Sequence, residues 1–211
     1  MDLLKKTRPD SLRGKRIYMS SVTDLYQPVE KELLLTRGLL ALLIPHQPRL
    51  VIQTRSPLVV RDTDLFRQFE NVQVNMTITT DSEVVRKVFE PLCPSNEVRL
   101  EAIRQGKEAG CNACITMTPM LPIKNAEAFA EKLKATGVQK FVAQPFHTEK
   151  GRFVGGAREE ARALSSEHDI TKTSIFFSVF ISQKKGTWHG VVDFIFGIED
   201  INLRYFVGRC P

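Results

Sequence analysis

The stretch VQVNMTITT, residues 72–80, alternates strictly between two kinds of side chain. In an extended chain Val74, Met76 and Ile78 fall on one face, and Asn75, Thr77 and Thr79 fall on the other. The same pattern recurs outward in both directions. LVIQTRS (50–56) puts Val51, Gln53 and Arg55 together. ACITMTPM (113–120) sets Cys114, Thr116 and Thr118 against Ile115 and Met117. VQKFVAQPF (138–146) carries Gln144 near its end. Between these strands lie helical periods. EKELLLTRGLLALLI (30–44) has Leu35, Leu39, Leu42 and Leu43 on one stripe, and DTDLFRQF (62–69) is a short helix. SEVVRKVF (82–89) follows the N-cap candidate Asp81. NEVRLEAIRQGKEA (96–109) runs from Ser95 to Gly110, and AEAFAEKLKAT (126–136) from Asn125 to Gly137. With RIYMSS (16–21), this predicts five strands alternating with helices. That order implies right-handed crossovers and a parallel sheet, either a partial (β/α) barrel or a doubly wound fold.

A strand covered on both faces should be almost continuously apolar. These strands are apolar on one face only, which belongs under the helices. The other face gathers Arg55, Asn75, Thr77, Thr116 and Gln144 near the C-terminal strand ends, where α/β folds hold their ligands. Threonine is also a good strand former on a solvated face. That reading suits one antiparallel edge strand better than four successive parallel ones. The expected outcome is a polar hollow holding water or a polar ligand. SSVTD (20–24) adds to the set. Ser20, Ser21 and Thr23 offer donors and acceptors, and Asp24 offers a charge suited to an ammonium group. Taken alone, Thr23 or Asp24 reads as a cap on the turn before Pro28.

Composition narrows the class. With 42% apolar and 26% charged residues, the 211-residue chain has the balance of a globular protein with a sizeable core. The net charge of +6 is interspersed, so it permits an anionic partner such as nucleic acid without requiring one. The first residues lack the apolar segment of a signal peptide. The longest apolar run, Leu39 to Ile44, is far short of the roughly 20 residues of a membrane span. Four cysteines do not make a disulfide scaffold, so a cytoplasmic location is expected. The segment 170–211 reads as a β-hairpin, TSIFFSVFIS and TWHGVVDFIF around QKKG, appended to a unit spanning 1–169.

SSVTDLYQPVEKELLLTRGLL, VIQTRSPLVVRDTDLF, VQVNMTITTDSEVVRKVFEPLCPSNEVRLEAIRQGKEAG and MTPMLP, in that order, resemble the radical S-adenosylmethionine enzymes of the spore photoproduct lyase-like group. These are often described as DNA-repair-photolyase-like proteins. The resemblance covers residues from about 10 to about 160 and is weaker beyond. It implies a TIM-like partial (β/α) barrel holding S-adenosylmethionine and a 4Fe–4S cluster. It also implies cleavage of the sulfonium to a 5′-deoxyadenosyl radical that abstracts hydrogen from a substrate. By the same resemblance, Ser20, Ser21, Thr23 and Asp24 receive the methionine ammonium. Arg55, where lysine is usual, reaches the methionine carboxylate or ribose. Thr77 contacts the ribose with Thr79 beside it, and the strand ending MTPMLP lies under the adenine. Thr116 and Gln144 complete the expected cofactor-binding set.

The sequence departs from that group in one respect. The group binds its cluster through CxxxCxxC, with three thiolates on three irons and the fourth iron open. This sequence has Cys93, Cys111, Cys114 and Cys210 and no such motif. Cys111 and Cys114 are too few for a metal site and should point to opposite faces of a strand. No metal ligand is assigned. The barrel is expected to lack its first strand and cluster loop, and the chain alone is expected to bind no cluster. The expected partners are a separate N-terminal cluster-bearing segment, a second copy of the chain, or a nucleic acid. The alternative is a non-catalytic remnant or binding subunit that keeps a nucleotide-like pocket. In the lyase a hydrogen-donor cysteine stands near the pocket; the matching position here is Ser21.

Overall fold

The computed structural model describes residues 4, 6–19, 23–145 and 191–194. Six strands form one sheet: β1 (Arg16–Met19), β2 (Arg49–Thr54), β3 (Val72–Thr77), β4 (Asn112–Met120), β5 (Lys140–Pro145) and β6 (Val191–Phe194). They lie side by side in chain order, and every neighbouring pair is parallel. A doubly wound sheet reverses its strand order partway. This one does not, so of the two architectures open to the sequence it follows the (β/α) barrel.

Most of the segment 170–211, including the expected hairpin and the boundary at 169/170, lies outside the described residues. The exception is β6. It pairs with β5 through Lys140 and Val191, and through Val142 and Asp193, so this part of the segment joins the sheet itself.

The register puts the apolar residues on the helix side. Leu50, Ile52, Val74, Met76, Ile115, Met117 and Phe141 are buried there with Leu40, Phe66, Ile103, Phe129 and Leu133. Each fully buried side chain of this size contributes roughly 1.5–3 kcal/mol by leaving water.

The helices are α1 (Glu30–Leu33), α2 (Leu35–Leu43), α3 (Thr63–Phe66), α4 (Glu83–Phe89), α5 (Asn96–Glu108) and α6 (Ala126–Ala135). The continuous helix expected over 30–44 is broken. Leu34 takes φ 52°, a left-handed conformation, and separates α1 from α2. The Glu30 carboxylate explains the restart, because it accepts hydrogen bonds from the backbone N–H groups of Leu35 (3.0 Å), Thr36 (2.9 Å) and Arg37 (3.4 Å). A glutamate inside one helix thus serves as the cap of the next.

Asp81 does not cap α4 as expected. Ser82 does so, by accepting from Val85 N–H, while Asp81 accepts from Lys124 and Asn125 N–H and ties the loop before α6 to that after β3. Ser95 and Asn125 cap α5 and α6 as read from the sequence. Gly110 and Gly137 follow the ends of those helices at φ 86° and 73°, where a side chain would be strained.

Candidate functional site

The inner face of the sheet, turned away from the helices, carries the polar residues of β2, β3 and β4. Gln53 lies at their centre. Its Nε2 donates to Thr77 Oγ1 at 2.5 Å and to Thr116 Oγ1 at 2.8 Å. Its Oε1 accepts from Tyr18 OH at 2.9 Å and from Asn75 Nδ2 at 3.2 Å. The two threonine hydroxyls are themselves 3.1 Å apart. Gln53, Asn75, Thr77 and Thr116 are all buried. The middle of the inner face is therefore closed by its own hydrogen bonds. The hollow expected there is filled by an amide that reaches across three strands, and Thr77 and Thr116 form its floor.

A second tier lies at the C-terminal strand ends. Glu90, the residue after α4, sends one carboxylate oxygen to Arg55 Nε (3.2 Å) and Thr79 Oγ1 (3.3 Å). The other oxygen accepts from Arg99 at 3.0 Å. Arg99 is fully buried and also donates to the Thr77 carbonyl (2.9 Å) and to Asn96 Oδ1 (2.8 Å). Burial alone would raise the Glu90 carboxyl, but the charges of Arg55 and Arg99 outweigh it and hold the group below the usual carboxylate range. The Arg55 side chain is 20% exposed, and its terminal amino groups make no hydrogen bond to the described residues. Gln144 is half-buried near the end of β5.

The loop that enters α1 is fixed beside this tier. Asp24 accepts from Thr54 Oγ1 (2.7 Å), Tyr26 N–H (2.9 Å) and Arg55 N–H (2.7 Å). Its carboxylate is committed to the turn and to the end of β2, as the capping reading of the sequence held. Further along, Arg61 bridges Asp62 (2.9 Å) and Glu30 (3.1 Å) and lies 5.9 Å from the Tyr26 ring centre. Arg37 joins Asp62 and Asp64 at 2.9 and 2.7 Å. The stretches TDLYQPVE and VVRDTDL thus hold each other through charge and a cation–π contact.

Of the residues expected to bind a cofactor, Asp24, Arg55, Thr77, Thr79 and Thr116 form two connected clusters. Thr23 is exposed, and Ser20 and Ser21 lie outside the described residues. Gln53, Glu90, Arg99 and Tyr18 were not among them. Gln53 shares the alternation of Arg55 and was legible. Glu90 follows one helical stretch and Arg99 sits within another, and the sequence of neither gives a sign that they reach the sheet.

An in-order parallel sheet with a polar inner face is the architecture of the (β/α)-barrel proteins. Residues 1–135 match the profile of the Radical SAM superfamily, and the chain belongs to it. It is 39% identical over 124 residues to the uncharacterized protein MJ0683 of Methanocaldococcus jannaschii, covering 57% of this chain and 48% of that one. It is 31% identical over 156 residues to the uncharacterized protein ORF301 of Acidianus two-tailed virus, covering 69% and 51%. The chain spans about half the length of these curated relatives. Among solved structures, a cysteine-to-serine mutant of spore photoproduct lyase superposes with a TM-score of 0.58 at 15% identity, over 92% of this chain and 64% of that one. SuiB of Streptococcus suis superposes at 0.50 and 11% identity, over 74% and 34%. These likenesses concern the fold.

The superfamily implies S-adenosylmethionine and a 4Fe–4S cluster, and the described residues treat the two differently. Among them, no group of three or more His, Cys, Asp or Glu side chains could hold a metal ion. Cys111 and Cys114 are buried thiols at the start of β4, the opposite end of the sheet from Arg55, and burial pushes the Cys111 thiol up, away from thiolate. The described residues do not fit the cluster. Toward S-adenosylmethionine, the braced Arg55 guanidinium, whose amino groups are unengaged among the described residues, has the chemistry to meet a carboxylate, while Thr79 is buried with its hydroxyl on Glu90. No helix among the described residues is long and apolar enough to cross a membrane.

Proposed function

We propose that this chain is the S-adenosylmethionine-binding part of a radical SAM enzyme of the spore photoproduct lyase-like type. The observation that carries this reading is Arg55. Its guanidinium stands at the C-terminal strand ends, fixed on Glu90, with its terminal nitrogens available to a carboxylate. Arg55 would hold the methionine carboxylate or ribose and Thr79 the ribose. Ser20, Ser21 and Thr23 would complete the ammonium side, and Gln144 would close the far rim. Asp24 acts on the ligand by shaping the loop and presenting Arg55, while Thr77 and Thr116 form the floor. Bound S-adenosylmethionine supplies, in this superfamily, the 5′-deoxyadenosyl group as a hydrogen-abstracting radical. No step through a cluster is assigned to the residues described here. The substrate would be a nucleic acid, by analogy with the lyase fold.

Isothermal titration of the purified chain with S-adenosylmethionine tests this. Binding that Arg55→Gln weakens about tenfold, the worth of one charge-assisted hydrogen bond, is the expected result. No heat of binding, or binding indifferent to Arg55, would count against it. Anaerobic treatment with iron and sulfide should give no stoichiometric charge-transfer absorbance. The thiol chemistry favours a second reading, a non-catalytic nucleotide-binding subunit. Binding of S-adenosylmethionine and S-adenosylhomocysteine with equal affinity would favour it.

A further inference from the structure

The opposite end of the inner face has a different character. Arg16 and Arg49 are register partners on β1 and β2, so two guanidinium groups start from neighbouring positions on one face. Both are exposed, and neither has a carboxylate partner among the described residues. Like charges directly opposite each other destabilise a sheet, so this pairing is a cost that an anion would remove. Two residues along β1 on the same face, Tyr18 is 43% exposed. Its hydroxyl is tied to the buried Gln53 at 2.9 Å, which holds the ring at one end and leaves part of it open beside the arginines. Gln73 on β3 and Asn112 on β4 lie in the register row of Tyr18, and the exposed Lys140 on β5 lies one alternation further on, with its Nζ 3.4 Å from Gln73 Oε1.

β1 to β5 carry no Asp or Glu. The only carboxylate residue on the six strands is Asp193, in register with Val142, one alternation further toward the C-terminal ends. Lys6, Arg8 and Lys15 are exposed in the segment leading into β1, while Arg13 is paired with Glu70 at 2.7 Å.

We infer that the N-terminal end of the inner face binds single-stranded nucleic acid, with phosphates on Arg16 and Arg49 and a base against Tyr18. Cations that track a backbone beside a fixed aromatic ring are the elements of sequence-tolerant single-strand binding. An acidic peptide would use the charges but not the ring. This site lies at the other end of the strands from Arg55, so it stands or falls independently of the cofactor reading.

The test is fluorescence anisotropy of a labelled oligonucleotide of about 12 nucleotides, the size of one such platform, titrated with the full chain over a salt series. Wild type should bind at low salt. Arg16→Gln with Arg49→Gln should lower the slope of log affinity against log salt by about 1.4, from two single-strand contacts at about 0.7 each. Tyr18→Ala should weaken binding about tenfold and Tyr18→Phe by less than about twofold, since the ring and not the hydroxyl meets the base. Arg104→Gln, on the outer surface of α5, should bind like wild type. The paired arginine variant should also melt no lower than wild type, which separates lost binding from lost folding. Absent oligonucleotide binding, an unchanged slope, equal loss in Arg104→Gln, or retention of polyglutamate but not of the oligonucleotide would each overturn the inference.

Discussion

A single carboxylate, that of Glu90, answers to two arginines and a threonine, and its removal is the most informative change in the molecule. Glu90→Gln leaves Arg99 buried without its counter-charge, which should cost about 3 kcal/mol in urea unfolding. The pH dependence follows from the lowered carboxyl. Its stabilisation is fully present above the unfolded value of about 4.3 and is lost as pH falls through the lower folded value. Wild type should therefore lose stability below about pH 4 more steeply than Glu90→Gln. Leu34 makes the opposite case. Held at φ 52° with its side chain exposed, it carries the cost of a left-handed residue without the burial that would offset it. Leu34→Gly should raise stability by about 1 kcal/mol, measured by chemical denaturation.

Among the elements, the strands were more legible than the helices. Strict alternation in 72–80 placed Asn75 and Thr77 on the inner face, and the buried network confirms that placement. The alternation did not show that the polar face satisfies itself, because that depends on one side chain spanning three strands. Gln53→Leu tests this. It keeps the volume but removes the partner of Tyr18, Asn75, Thr77 and Thr116, and should cost about 3 kcal/mol in the same unfolding assay. The break at Leu34 was illegible for a similar reason. The leucine period runs straight through it, and only the reach of Glu30 to the next helix start explains the interruption. Arg99, which ties α5 to the end of β3, had no periodic signal at all.

At the scale of the whole molecule, the two ends of one sheet differ in kind. The C-terminal ends gather a braced cation and hydroxyls, and the N-terminal ends gather a ring and cations that have no carboxylate partner among the described residues. Both follow from the same alternation, because each strand delivers its even or odd positions to one surface along its full length. The superfamily assignment rests on residues 1–135. What the rest of a longer relative would add is a matter for the binding and reconstitution experiments above.

The in-order sheet also bears on how the protein is made. Among the described residues, each strand pairs only with its neighbours in chain order. A nascent chain leaving the ribosome can therefore dock each new strand–helix unit on a finished neighbour, without waiting for a distant partner. Stalled translation intermediates should gain protease resistance in steps, one unit at a time, beginning from β1 and β2.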